Sequence, residues 1–159
     1  MSEASINKTL EQIVNFYQID ENIATSGQPV TEQFQAISAK GFEVIINLAL
    51  SDSPNAIEDE NKIIKSLNMT YVHIPVDFKS PALEDLELFF KRMEKNHDKK
   101  IFIHCAMNWR VSAFMFLYHT IKCHMPIADA HKHLDAVWQP EPVWQDFIEH
   151  ALNTYDSHP

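Results

Sequence analysis

The sequence predicts an α/β fold, a mostly parallel central sheet flanked by helices, within a single domain spanning residues 1–159. Three observations predict it. Apolar runs of strand length at 42–50, 70–76 and 101–103 alternate with longer stretches of helical periodicity, the pattern that sets helices between parallel strands. The run Ile101-Phe-Ile103 is apolar at every position, which suits a strand covered on both faces. A chain of 159 residues has the length of one domain and can bury about two-thirds of its unfolded surface, so it needs no staple.

Taken in order, residues 6–17 predict a helix with Ile6, Leu10, Ile13 and Phe16 on one stripe. A short strand over 23–25 leads into the turn Ser26-Gly27-Gln28-Pro29. Thr31 is an expected N-cap, and Gly41 is the C′ glycine of the helix that follows. Residues 42–50 predict a buried strand, 56–67 a helix with Ile57, Ile64 and Leu67 inward, and 70–76 a further strand. Ser80-Pro81 opens a helix to about residue 97, with Pro81 at its first position. Its acids come early (Glu84, Asp85, Glu87) and its bases late (Lys91, Arg92, Lys95), as the helix dipole favours. After the strand at 101–103, a helix over 110–122 is apolar nearly all round and so should be central. Helices over 127–138 and 142–153 follow.

Composition narrows the function. The hydrophobic fraction of 45% and charged fraction of 22% are those of an ordinary globule. A net charge of −9 argues against nucleic acid and anionic membranes as partners, so any anion site must be local. Two cysteines, Cys105 and Cys123, make no disulfide framework. Met1-Ser-Glu-Ala-Ser5 lacks the features of an export signal, and no apolar run reaches the roughly 18 residues of a membrane span, so a reducing cytoplasm is expected. His131-x-His133 is a poor chelate on a helix, because residues two apart face differently, and no metal or other cofactor is expected.

The chemistry concentrates in Ile101-Phe-Ile-His-Cys-Ala-Met-Asn-Trp-Arg-Val-Ser-Ala-Phe114. A cysteine between a buried strand and a helix N-terminus sits where backbone N–H groups and the dipole favour negative charge. That setting can hold a thiolate and bind a phosphate. Arg110 adds a two-pronged donor for phosphate oxygens. The chain's two glycines, Gly27 and Gly41, both lie outside this loop, which leaves Asn108 as the residue best able to take the left-handed turn conformation there.

The stretch His104-Cys-Ala-Met-Asn-Trp-Arg-Val-Ser112 resembles the signature loop of protein-tyrosine and dual-specificity phosphatases. Those enzymes have five residues between Cys and Arg, and this chain has four. Three more segments, Ala24-Thr-Ser-Gly-Gln-Pro29, Gly41-Phe-Glu-Val-Ile-Ile-Asn-Leu48 and Tyr71-Val-His-Ile-Pro-Val-Asp77, occur in matching order. With them the chain resembles, over residues 10–120, a bacterial group of phosphatase-like proteins with a shortened loop, related to a domain of beta-lactamase-hydrolase-like proteins.

The resemblance implies a cysteine-phosphatase-like fold and a metal-independent phosphomonoesterase acting through a phosphocysteine. It implies Cys105 as nucleophile and Arg110 as phosphate clamp. The loop residues Ala106, Met107, Asn108 and Trp109 would bind phosphate, and His104 would support the loop. Asp77, closing its strand, is the implied general acid, with Asp52 in reserve. Ser112 is the implied hydroxyl assisting the leaving thiolate, although in tyrosine phosphatases that residue follows Arg directly and here Val111 intervenes. The expected ligands are a phosphorylated protein or small molecule, with inorganic phosphate or sulfate in the loop. The residues themselves also fit plainer roles. These are a packed cysteine, a salt-bridged arginine, a solvated Asp77, and a Ser112 bonded to its own helix. Two other functions fit the same segment: a pseudophosphatase that binds phosphorylated ligands without turnover, and a sulfur transferase with a rhodanese-like loop.

Overall fold

The computed structural model of the protein describes residues 2–156. Its elements run α1 (Glu3–Glu11), β1 (Tyr17–Gln18), β2 (Ile23–Ser26), α2 (Thr31–Ala39), β3 (Val44–Asn47), α3 (Glu60–Ser66) and β4 (Thr70–His73), then α4 (Leu83–Lys95), β5 (Ile101–His104) and α5 (Trp109–Leu117). A π-helical turn (Tyr118–Lys122), α6 (Ile127–Asp135) and α7 (Pro142–Asp156) complete the chain. The sheet order is β1-β2-β5-β3-β4, parallel except for the β1–β2 pair. This is the expected mostly parallel α/β architecture.

Alternation along the strands assigns the helices to two layers. Ile101 and Ile103 of β5 and Val44 and Ile46 of β3 join one core with residues of α4 to α7. Phe102 and Ile45 point the other way, into a core with residues of α1 to α3. Both strands are buried at every position, as their unbroken apolar runs require. The same parity sends the side chains of His104 and Asn47, side by side in register, toward the α1–α3 layer. β5 is the central strand. Open parallel sheets bind ligands beyond the C-terminal ends of their strands, where strand order reverses.

Several element boundaries differ from the sequence expectation. α1 ends at Glu11, where the Gln12 and Ile13 amides tighten onto the Thr9 and Leu10 carbonyls, and Asn15 at φ 50° then turns the chain into β1, an edge strand with too little pattern to predict. Ile13 is nonetheless buried as expected. The N-cap of α2 is Val30 and not Thr31; the Gln33 side chain accepts from the Val30 amide at 2.9 Å and supplies the cap from within the helix. Gly41 does stand just past α2, at φ +103°. α3 begins at Glu60 after a left-handed Asp59, four residues later than expected. The regular ladder of β4 ends at His73, ahead of Pro75, which has no amide to donate, while the Ile74 and Val76 amides still reach the carbonyls of Asn47 and Leu48 at 2.9 and 3.0 Å. Pro81 precedes the N-cap Ala82 of α4 and is not its first residue. The long helix over 110–122 is α5 followed by the π-helical turn, where the Thr120 hydroxyl donates to the carbonyls of Phe116 and Leu117.

Candidate active site

The segment from Cys105 to Arg110 leaves the C-terminal end of β5 and turns into α5. Asn108 makes the turn possible. It is the N-cap of α5 at φ 68°, the left-handed position for which the sequence offered no glycine. Its amide group donates to the Asn15 carbonyl and to Thr25 Oγ1, both at 2.9 Å, which locks the turn to β2. Its Nδ2 is thus committed to holding the loop, while its Oδ1 is buried with no hydrogen-bond partner among the described residues.

The loop carbonyls are tied from outside. Cys105 O faces His104 Nδ1 at 3.2 Å, Ala106 O accepts from the Gln28 amide at 3.0 Å and from Asn55 Nδ2 at 3.1 Å, and Met107 O accepts from Asn15 Nδ2 at 2.9 Å. In a planar trans peptide the N–H points opposite to the C=O. Anchoring the first two carbonyls therefore turns the amides of Ala106 and Met107 toward the other side of the loop, and neither has an acceptor among the described residues. The first turn of α5 adds N–H groups that no helix can satisfy internally. Cys105 lies at the foot of this arrangement, 0% exposed.

Arg110, in the first turn of α5, is only 7% exposed. Its Nη1 donates to the Val76 carbonyl at 2.9 Å, and its guanidinium lies 5.9 Å from the Phe78 ring centroid. Among the described residues no carboxylate is within ion-pair distance of it. Its bond to Val76 brings the β4–α4 loop, and hence Asp77, to the same end of the sheet. Asp77 is exposed and accepts from the Lys79 amide at 3.0 Å, a local turn. Ser112 Oγ donates to the Trp109 carbonyl at 3.0 Å, so its hydroxyl bonds its own helix. Asp52 is exposed in the β3–α3 loop, and it is Asn55 from this loop that reaches the Cys105–Arg110 turn.

The family described as "DSP-PTPase phosphatase fused to NAD+ Kinase" matches residues 8–141. The chain belongs to this phosphatase family. A solved structure of a "Putative phosphatase (DUF442)" from Shewanella putrefaciens CN-32 is 32% identical, covers 93% of this chain and 97% of that one, and superposes with a TM-score of 0.83. PTPMT1 in complex with PI(5)P shares the fold at 11% identity (TM-score 0.75, 89% of this chain, 97% of that one). So does the catalytic domain of the PP-IP phosphatase SIW14 from S. cerevisiae in complex with citrate, at 16% identity (TM-score 0.67, 92% of this chain, 96% of that one). No curated protein matches the chain.

Within this phosphatase-family fold, residues that the sequence did not single out support the loop. Glu60 of α3 is 7% exposed and meets His104 Nε2 at 2.8 Å. Gln28 Nε2 donates to its other oxygen at 2.7 Å, and Asn47 Nδ2 donates to Glu60 Oε2 at 3.2 Å and to the Tyr71 hydroxyl at 3.0 Å. Burial pushes the Glu60 carboxyl up, but the His104 charge and hydrogen bonds from His104, Gln28 and Tyr71 outweigh it and hold the group below the ordinary carboxylate value. Burial and the Glu60 charge push the Tyr71 phenol up. Glu60 hid inside the acidic run Glu58-Asp59-Glu60, although its spacing from Ile57 and Ile64 set it on the predicted inward face.

On the opposite flank, Trp109 stacks on Trp138 (5.2 Å, 7°), and Phe78 touches Trp109, Trp138 and Trp144. Trp144 Nε1 donates to the Phe78 carbonyl at 2.9 Å. Trp138 and Trp144, which flank the turn between the last two helices, thus brace the loop that carries Asp77. Among the described residues no cluster of three or more His, Cys, Asp or Glu side chains is placed to hold a metal ion. His131 and His133 take separate partners, Asp135 and Tyr17.

Proposed function

We propose that the protein is a metal-independent phosphomonoesterase in which Cys105 and Arg110 carry the reaction. One observation carries this reading: a buried arginine at the N-terminus of a buried helix which, among the described residues, has no carboxylate partner and lies beside backbone amides that have no acceptor. A buried charge needs a counter-charge, and a helix start with free amides suits a phosphate. The Cys105 thiolate attacks phosphorus, forming a phosphocysteine and expelling the ester oxygen, which takes a proton from Asp77. Water then attacks the phosphocysteine, passing a proton to Asp77 and releasing inorganic phosphate and the Cys105 thiolate. Arg110 and the amides of the 106–109 loop hold the equatorial oxygens as charge develops on them. Splitting one displacement into two lowers each barrier.

The loop, Ala-Met-Asn-Trp, carries no basic side chain, and the net charge is −9. A phosphorylated protein or a small monoester fits this better than a polyanion such as the ligands of the fold relatives. Ser112 enters the mechanism only if its hydroxyl exchanges the Trp109 carbonyl for the leaving thiolate. A reducing compartment suits a free thiolate.

Steady-state hydrolysis of a panel of aryl phosphates by wild type and Cys105→Ser tests the proposal. Turnover is expected in the wild type only; turnover by the serine variant overturns the nucleophile. A second reading, a phosphate-binding protein without turnover, is favoured by the four-residue loop and the complete burial of Cys105. Vanadate binding with no hydrolysis by the wild type would establish it.

A further inference from the structure

The network beneath the loop converges on a residue outside the Cys–Arg segment. We propose that Glu60 is the positioning residue of this site: its carboxylate holds His104 as a two-donor imidazolium, which fixes the Cys105–Ala106 peptide and stabilises a thiolate on Cys105. The inference rests on the reading of Cys105 as a working thiolate.

Both ring nitrogens of His104 face acceptors. Nε2 lies 2.8 Å from Glu60 Oε2, and Nδ1 lies 3.2 Å from the Cys105 carbonyl. A carboxylate and a carbonyl accept only, so both contacts are hydrogen bonds when the ring carries two protons. His104 is 0% exposed, and the Phe34 ring packs edge-on against it at 5.8 Å, so its charge must be matched within the protein. Glu60 is the carboxylate in contact, and three neighbours fix it in place. Gln28 and Asn47 donate to it, and Asn47 also donates to the Tyr71 hydroxyl.

The consequence reaches the loop along two routes. Through His104, Glu60 orients the Cys105 carbonyl outward and therefore the Ala106 amide inward. Through Gln28, whose side chain is held by Glu60 while its backbone amide donates to Ala106 O at 3.0 Å, it also fixes the next peptide and turns the Met107 amide inward. The imidazolium itself is one residue from the thiol, where a positive charge favours ionisation. The three further segments that accompany the signature-like loop, those holding Gln28, Asn47 and Tyr71, thereby share one task. They seat Glu60.

The test follows the ultraviolet absorbance of the Cys105 thiolate against pH, with Cys105→Ser as the blank, in wild type, Glu60→Gln and Glu60→Asp. The wild-type midpoint is expected below the ordinary thiol value of about 8.5. Glu60→Gln is expected to raise it by about one unit or more, and Glu60→Asp to restore part of the difference. An ordinary wild-type midpoint, or an unchanged midpoint in folded Glu60→Gln, overturns the proposal. A residue that merely supports the fold would lower Tm without moving the midpoint. Should Glu60→Gln fail to fold, Gln28→Ala removes one support of the carboxylate and keeps the ion pair. It is then expected to raise the midpoint in the same sense, and no rise overturns the proposal. Hydrolysis assayed on the same samples separates the two claims. A low, Glu60-dependent midpoint without turnover sinks the enzymatic reading and leaves the Glu60 assignment standing.

Discussion

At the scale of single residues, Arg110 and Asp77 carry the sharpest expectations. Arg110 spends one guanidinium nitrogen on the Val76 carbonyl, and the rest of its fork has no acceptor among the described residues. Arg110→Lys loses both the fork and the simultaneous backbone bond. Charge-assisted bonds are worth roughly 1.5–3 kcal/mol, so vanadate inhibition constants should rise about 10- to 100-fold. Equal inhibition of both proteins would contradict the clamp. Asp77 tests the leaving group. Asp77→Asn should slow alkyl and phenyl phosphates on the order of 10²–10⁴-fold, spare nitrophenyl phosphate, and flatten the basic limb of the pH profile. If neither changes, the aspartate is a turn residue, and Asp52→Asn takes the same two assays. The spacing of Cys105 and Arg110 was legible because strand, cysteine, turn and helix are consecutive in the chain. Glu60, Asn55 and Asn15 were not, because each reaches the loop from a separate segment.

At the scale of elements, the β2–α2 turn and the end of β5 are built against each other. A Cβ on Gly27 would lie 2.5 Å from the Ala106 carbonyl oxygen and 2.6 Å from Val14 Cγ1. The glycine in Ala24-Thr-Ser-Gly-Gln-Pro29 is therefore needed for close approach to the loop, and its φ is not in the left-handed region. Gly27→Ala should cost about 1–3 kcal/mol in urea unfolding and weaken vanadate binding, because the strain falls on the loop. The β4–α4 loop is held by Arg110 at Val76 and by Trp144 at Phe78. Trp144→Phe keeps an aromatic ring and removes the donor. It should cost about 1 kcal/mol or more in stability and lower turnover of poor leaving groups more than good ones. A uniform loss across leaving groups would separate Trp144 from the placement of Asp77.

At the scale of the whole molecule, stability should fall in acid for two named reasons. Burial, with the neighbouring His133 charge, lowers His119 from 6.5 to about 4, while Asp20 opposes the shift. Its folded value lies below its unfolded one, so the unfolded chain binds more protons between them. The contribution is full above pH 6.5 and is lost as pH falls toward 4, on the order of 3 kcal/mol. Glu60, also depressed, adds stability that is present above its unfolded value of 4.5 and lost at lower pH. Urea unfolding from pH 7 to 4 should follow the first loss, and His119→Gln should flatten it. An equally steep profile in that variant would place the dependence elsewhere.

The sequence by itself determined the α/β architecture, the central buried strand and the Cys–Arg turn, because each depends on local periodicity or on residues a few positions apart. Asn108 in the left-handed position was readable for the same reason, since the loop has no glycine and one residue suited to replace it. Strand and helix ends were less legible. Gln33 caps α2 from within the helix, Pro75 ends β4 early, and β1 is a two-residue edge. Only the tertiary structure decided what surrounds the loop. Strand parity turns His104 toward the α1–α3 layer, and only there does a glutamate from an exposed-looking acidic run become its buried partner. Long-range polar contacts of this kind leave no period in the chain, because their partners are chosen by the packing of separate layers and not by spacing along the sequence.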